Sequence, residues 1–414
     1  MDNIDKRKIV IGAAIVVGLF VLIFLGKWLI RKREATKEAA RLEQVRKEKQ
    51  KQAEAEARQT RLLFHQVCQY ADSVGIDTSR YVNASKRGAL ETEETMRQLL
   101  LEARYGKKPS RLEFSGLQEA VDSAWADKVK TLRSTQPLIS LTTFRPYTQL
   151  VGHYNRLRKK GRNNPTVADS LRLIRQTLNF YRYVNRFDPD RFVMVNIPAG
   201  ELNVFDRNGK RLLPMQVITG KPDRKTPCMT TYIRAIVAYP YWNVPQNIAL
   251  EEILPHIKRD LAYLNNQNFQ VLNDKGVEVD PEKVDWDEVS ETNFPYRIRQ
   301  ASGCENSLGL LKFELVNPLA IYLHDTNSRD LFTLTKDRWR SHGCVRVQKP
   351  VELANLVLGA ETFDDEFMNK CLIDQKPRSL PIAKPFPVFI TYNVADVDAA
   401  GKLKFFKDVY GEAK

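Results

Sequence analysis

The sequence predicts a two-part molecule: an α-helical front half carried on a membrane-spanning helix, and a mainly β back half interrupted by one insertion. Three observations carry this. Ile9 to Gly26 is an uncharged apolar run of 18 residues, which Trp28, Leu29 and Ile30 extend past Lys27; that is long enough to cross a bilayer as a helix. At Arg191 the apolar period changes from helical to alternating. The charge divides at the same place. Residues 1–190 hold 36 Lys and Arg against 21 Asp and Glu, and residues 191–414 hold 29 of each. The net charge of +15 therefore belongs to the front half, and its distribution argues against a nucleic-acid-binding protein.

Lys6, Arg7 and Lys8 precede the apolar run. Gly26-Lys27-Trp28 is a poor match for the small-residue cleavage site of a secretory signal, so an uncleaved anchor over 9–30 is expected behind a tail of residues 1–8. Six Lys or Arg between Lys27 and Arg41 outnumber the three before the span. Taken alone, that count would keep the large domain in the cytoplasm, although long domains can translocate despite flanking charge.

From Glu34 to Thr60 there is no Gly or Pro, and Ala, Arg, Lys, Glu and Gln dominate. Residues 31–60 read as a solvated helical stalk reaching about 40 Å. Helical patterns then fill 61–190, with breaks at Gly75, Gly88, Lys108-Pro109, Gln136-Pro137 and around Gly161 to Pro165. Thr92 to Tyr105 and Val167 to Tyr183 each place apolar residues on one face, and Thr166 or Asp169 can cap the second. The basic run Arg156, Arg158, Lys159, Lys160 and Arg162 reads as a solvated face.

In the back half, Phe192 to Ile197, Leu202 to Phe205, Leu212 to Thr219 (after an Asn208-Gly209 turn), Ile233 to Ala238 and Trp242 to Pro245 read as strands. The pattern lapses from Asn247 to Arg299, where a helical stretch over Ile248 to Leu264 precedes an acidic, turn-rich segment. Strands resume at Leu310 to Phe313 and Ala320 to Leu323. Val351 to Leu358 reads as a short helix, and Val388 to Asn393 with Leu403 to Phe406 as a closing hairpin.

Chemistry concentrates in Tyr322-Leu323-His324-Asp325-Thr326 and Ser341-His342-Gly343-Cys344-Val345-Arg346-Val347. Cysteine is the strongest protein nucleophile once ionised, and it needs a base and backbone N–H groups for the oxyanion. His324 ends a strand that can pair beside Val345 to Val347, so it is the candidate general base, with His342 bracing the turn. Gly343 lets its own N–H and that of Cys344 approach a carbonyl oxygen closely. The remaining cysteines (68, 228, 304 and 371) form no CxxC pair, so zinc is unsupported. Cys228 and Cys304 can pair, though nothing in the sequence requires it.

This segment resembles the L,D-transpeptidase catalytic domain of YkuD type, whose signature is a histidine, a loop, and Ser/Thr-His-Gly-Cys; 16 residues separate His324 from Ser341. Val195 to Ala199, Gly220-Lys221-Pro222, Tyr241 to Pro245, Asn293 to Gln300, Tyr392 and Asp408 to Gly411 are similar to the larger envelope members of Gram-negative bacteria. The resemblance implies a YkuD-type β-sandwich at 191–395 with a capping subdomain inserted at about 246–309, an α-helical scaffold at 61–190, and a C-terminal hairpin and tail at 396–414. The peptidoglycan-binding module that many such proteins carry has no recognisable pattern between 61 and 190.

The same resemblance implies Cys344 as acylated nucleophile, His324 as base, and Asp325 orienting the imidazole through its backbone. It places Tyr322, Trp242, Arg346 and Ser341 near substrate. Trp242 reads equally as a core residue, and Arg346 equally as a loop brace held by a buried acid. The implied substrate is a peptidoglycan stem peptide, with no metal or cofactor, and the outcome is a cross-link made through a thioester in cell-wall biogenesis. Hydrolysis, protein attachment and a non-catalytic wall scaffold are the other readings. Such a substrate requires an inner-membrane protein with a cytoplasmic N-terminus and a periplasmic catalytic domain, against the flanking-charge count.

Overall fold

The computed structural model describes residues 3–85, 89–127, 143–161, 164–372 and 375–413; Gly88, Gln136-Pro137 and Arg162 lie outside them. Helix α1 runs unbroken from Asn3 to Ser73, 71 residues, or about 105 Å at 1.5 Å per residue. Among the described residues it is the one helix long and apolar enough to cross a membrane. Arg31 to Glu56 are exposed on every face. Phe64, Val67, Cys68 and Ala71 then fall three or four apart and are buried in the helical core, so stalk and scaffold share one continuous helix.

Three longer helices join that core, α2 (Ala89–Tyr105), α3 (Arg145–Lys159) and α4 (Pro165–Val184), and the short helix Ser79–Ser85 adds Tyr81. The cap of α4 is neither Thr166 nor Asp169. Asn164 accepts the Thr166 N–H at 3.0 Å, because Pro165 occupies the first helical position, where a missing N–H costs nothing.

The main sheet of the back half closes on itself and takes in one short strand from the front half. The strands are β1 (Leu112–Ser115), β2 (Arg191–Asn196), β3 (Glu201–Asp206), β4 (Arg211–Gly220) and β5 (Cys228–Ala238). After the insertion come β10 (Leu311–Leu315), β11 (Leu323–His324), β12 (Trp339–Ser341), β13 (Val345–Val347) and β14 (Arg378–Thr391). Neighbours run β5-β10-β11-β13-β4-β3-β2-β14, and β14 pairs back onto β5. Closure leaves no long unpaired edge in this ring. Alternation decides which core each side chain enters. Val193, Val195, Val388 and Ile390 fill the sheet interior, while Phe192, Met194 and Phe389 turn outward into the helical core. Phe389 meets Phe180 of α4 and Phe192 edge-on at 6.3 and 5.3 Å.

That double burial overturns the predicted hairpin. Val388 to Thr391 pair with β2 and β5 as a central strand, and the partner of β16 (Leu403–Phe405) is β15 (Ala395–Val397).

The insertion folds on its own small core. Strands β6 (Trp242–Asn243), β7 (Phe269–Leu272), β8 (Glu278–Val279) and β9 (Arg297–Gln300) form a second sheet in the order β6-β9-β7-β8. Ile253, Ile257, Phe269, Val271, Trp286 and Ile298 pack beneath it. The predicted helix over Ile248 to Leu264 is divided, with a π-helical turn at Ala249–Ile253.

Cys228 and Cys304 do not pair. Cys304 is bonded to Cys371, and Cys228 is a buried free thiol in β5. The turn holding Cys304 packs on the later segment, where the Ser302 hydroxyl donates to the Gln375 carbonyl at 2.7 Å. The bridge closes a separation of 67 residues, so its loss is expected to cost about 2–4 kcal/mol through the unfolded chain. Urea unfolding of wild type and Cys371→Ser, each with and without reductant, measures this; only the wild type should respond to reductant.

Candidate active site

Cys344 sits in the tight turn between β12 and β13. Ser341 shapes it: its Oγ donates to the Cys344 carbonyl at 2.5 Å and accepts the Gly343 N–H at 3.2 Å. Gly343 has φ +119°, a region that side-chain-bearing residues rarely adopt. The Gly343 N–H, expected to serve the oxyanion, is here hydrogen-bonded within the turn. The Cys344 N–H has no hydrogen-bond partner among the described residues.

A second layer ties this turn to the rest of the sheet. Thr226 Oγ1 donates to the Gly343 carbonyl at 2.7 Å, and the Lys221 N–H donates to the Ser341 carbonyl at 3.0 Å. The Tyr410 hydroxyl donates to the Gly220 carbonyl at 2.5 Å and accepts the Thr226 N–H at 3.2 Å. Tyr410→Phe strands two buried backbone groups, so it is expected to lower stability by about 1–3 kcal/mol and to slow acylation of Cys344. Urea unfolding and mass-spectrometric adduct formation read the two effects.

His324 comes from the neighbouring strand. β11 pairs parallel with β13, setting Leu323 against Val345 and His324 against Arg346. The imidazole is buried, and its Nδ1 has no hydrogen-bond partner. Burial, then the nearby Arg346 charge, pushes it down to about 3; backbone groups of Asp325 and Leu308 oppose the shift. The Cys344 thiol is pushed up to about 11 by burial, against Tyr322, Lys312 and Arg346, which favour the thiolate. It donates to the Ala320 carbonyl at 3.6 Å. Thiol and imidazole thus share the cleft as neutral groups, without a hydrogen bond between them.

Tyr322 stands edge-on to the His324 ring at 5.6 Å. Its hydroxyl lies between Cys344 and Trp242, and burial holds its pKa well above the usual range. The Asp325 carboxylate, fully buried, accepts Arg329 through Nε at 3.1 Å and Nη2 at 2.7 Å, and the Leu310 N–H at 2.9 Å. A Cβ at Gly309 would lie 2.2 Å from its Oδ2, so residue 309 must be glycine to admit it. Arg346 has no acidic partner among the described residues, and its buried Nε is unpaired. The loop-brace reading of Arg346 therefore lacks its acid.

Over these groups lies the capping sheet. A cleft of about 570 Å³ is bounded by His324, Ser341, Cys344 and Arg346 below and by Trp242, Ile253, Tyr263 and Phe269 of the insertion above. Trp242 is half-buried and lines this cleft. His342 also lines the cleft and pairs through Nε2 with Glu252 at 2.7 Å, a residue of the π-helical turn. Glu252, Thr226, Lys312 and Arg329 were not singled out from sequence. Glu252 and Thr226 lie far along the chain from the groups they touch, and no local pattern announces such pairs; Arg329 is only four residues from Asp325. Among the described residues no three His, Cys, Asp or Glu side chains gather as a metal site would require.

Residues 190–379 match the family model of the YkuD L,D-transpeptidase catalytic domain. A Haemophilus influenzae protein provisionally named an L,D-transpeptidase is 38% identical over 219 residues, covering 53% of this chain and 44% of that protein; the chain thus spans less than half the length of this relative. Among solved structures, the Enterococcus faecium L,D-transpeptidase catalytic domain acylated by ertapenem is 13% identical. It covers 49% of this chain and 98% of its own, with a TM-score of 0.23. Mycobacterium tuberculosis L,D-transpeptidase 3 is 9% identical, covering 49% of this chain and 61% of its own, with a TM-score of 0.23. The closed β fold and the Ser-His-Gly-Cys turn thus lie in a stretch, residues 190–379, that is similar to the L,D-transpeptidase catalytic domain of the YkuD family.

Proposed function

We propose that this protein cross-links peptidoglycan stem peptides through a thioester on Cys344. The observation that carries the reading is Cys344 on a pre-shaped turn, beside His324 of the adjacent strand, under a capping subdomain. The thiol proton passes to His324 as sulfur attacks the carbonyl of the third, diaminopimelate-type residue of a tetrapeptide stem. The Cys344 N–H receives the oxyanion. The imidazolium then protonates the leaving D-Ala amine, and the carbon–nitrogen bond breaks to leave the thioester. An acceptor amine attacks, its proton goes to His324, and the thiolate is released as the new amide forms. Arg346, with its unpaired Nε in the cleft, binds a stem carboxylate. Asp325 steadies the strand end that carries His324, and His342 with Glu252 ties the turn to the cap.

Lys312 and Arg346 favour the thiolate and disfavour the imidazolium. The proton therefore cannot rest on His324 and is passed on to the leaving amine. The apolar cap excludes water, which favours transfer to an amine over hydrolysis.

The substrate lies outside the cytoplasmic membrane, so residues 9–30 act as an anchor with the N-terminus cytoplasmic. The Cys304–Cys371 bridge supports this placement, because disulfides persist in oxidising compartments. Muropeptide mass spectrometry of cells producing wild type or Cys344→Ala is the test. New cross-links at the third stem residue in wild type alone support the proposal. Tripeptides without cross-links indicate hydrolysis, protein-bound stems indicate attachment, and identical profiles indicate a non-catalytic scaffold. A protease-protection assay that finds the C-terminus cytoplasmic sinks topology and function together.

A further inference from the structure

The cleft over Cys344 is charged unequally. Among its described lining residues one bears a carboxylate, Glu252, and one a permanent positive charge, Arg346. They stand on opposite walls. Arg346 belongs to β13 of the closed sheet, and Glu252 to the π-helical turn Ala249–Ile253 of the cap. His342, two residues before Cys344, holds one oxygen of Glu252 at 2.7 Å, so the carboxylate is fixed beside the turn that carries the thiol. Neighbouring Glu251 is neutralised by Arg224 and does not line the cleft.

Glu252 is free to take a ligand. Its second oxygen has no partner among the described residues, and its side chain is 44% exposed, so the carboxylate is reachable from the mouth of the cleft. Burial, then the nearby Glu252 charge, raises the Tyr263 phenol pKa, which sets the two side chains near one another. The Tyr263 ring stacks on His256 at 4.8 Å, and both rings line the cleft. A carboxylate beside aromatic faces suits an ammonium ion. An alkyl amine, with a pKa of about 10.4, arrives as that ion at neutral pH. An anion is drawn instead to the opposite wall, where Arg346 stands.

We propose that Glu252 is the specificity-determining residue for the acceptor: its free oxygen receives the ammonium group of the incoming amine, while Arg346 holds the donor's carboxylate on the opposite wall. This role rests on the transfer reaction proposed above and names the wall along which the second substrate enters. The captured ammonium loses one proton to water at the exposed mouth. The neutral amine attacks the thioester carbonyl, its second proton passes to His324, the carbon–sulfur bond breaks, and His324 returns that proton to the released sulfur. Glu252 makes and breaks no bond in these steps; it concentrates the amine against competing water.

The test uses the full chain in detergent, acylated by a tetrapeptide stem. A stem tripeptide ending in the diamino acid serves as the charged acceptor and hydroxylamine as one largely uncharged at neutral pH, and mass spectrometry counts amide, hydroxamate and hydrolysed products. Glu252→Gln is expected to raise KM for the tripeptide about three- to tenfold, the range from an exposed to a charge-assisted contact, with its kcat and the hydroxylamine rate changed less than about twofold. Added salt should raise the same KM in wild type and not in the variant, because it screens an exposed carboxylate. A KM unchanged in Glu252→Gln overturns the proposal and leaves cross-linking standing. Equal loss with tripeptide and hydroxylamine also overturns it, since Glu252 then acts only as a brace for His342. A wild type that is never acylated removes the transfer reaction itself, and this role with it.

Discussion

Cys344→Ala is expected to abolish both muropeptide cross-linking and covalent penem capture while leaving the fold intact. Chemistry demands the loss, since no other group in the cleft can form the acyl-enzyme; Ser341 Oγ is committed to the Cys344 carbonyl and the Gly343 N–H. Structure predicts the retained fold. Ser341, Gly343 and Thr226 build the turn, and the thiol contributes one long bond to the Ala320 carbonyl. Stability should change by about 1 kcal/mol or less. Intact-mass spectrometry after penem exposure, with urea unfolding of the same sample, measures both. An adduct persisting in the variant would place the nucleophile elsewhere.

His324→Gln is expected to slow penem acylation by about 10²- to 10⁴-fold, the usual contribution of a positioned base. The pH profile distinguishes a base from a packing residue. With the imidazole pushed down to about 3 and the thiol up to about 11, the wild-type acylation rate should show no inflection near 6.5. Protonation removes the base only toward pH 3. An inflection near 6.5 would mean that the ring is solvated and that its buried, neutral role is wrong. Stability carries the same signature. The unfolded histidine takes a proton near 6.5 and the folded one near 3, so the unfolded state binds more protons between them. Stability is therefore full above about 6.5 and is lost as pH falls from there toward 3, and His324→Gln should flatten that slope.

Much of the site was legible because it is local. Ser341 to Cys344 form one turn, and the strand ending at His324 is short, apolar and followed by a turn. The change from helical to alternating period at Arg191 marked the boundary between helices and sheet. Where sequence reading failed, distance along the chain was the cause. The thiols of Cys304 and Cys371 meet because two turns pack, and spacing does not encode that. Val388 to Thr391 read as a hairpin arm because a strand buried on both faces and a hairpin strand share the same alternation. The bond from the Gly343 N–H to Ser341 Oγ was not legible either, because it depends on a side-chain rotamer.

The sequence alone therefore determined the long apolar segment near the N-terminus, the helical front half and the mainly β back half, and put forward the histidine and the cysteine as candidates, since each rests on periodicity or near neighbours. Tertiary structure decided the rest. It closed β14 onto β5 and made stalk and scaffold one helix. It moved the disulfide, brought Thr226 and Tyr410 under the turn that carries Cys344, and left the buried Arg346 Nε unpaired. Those outcomes depend on which surfaces bury one another, a property of the folded chain as a whole.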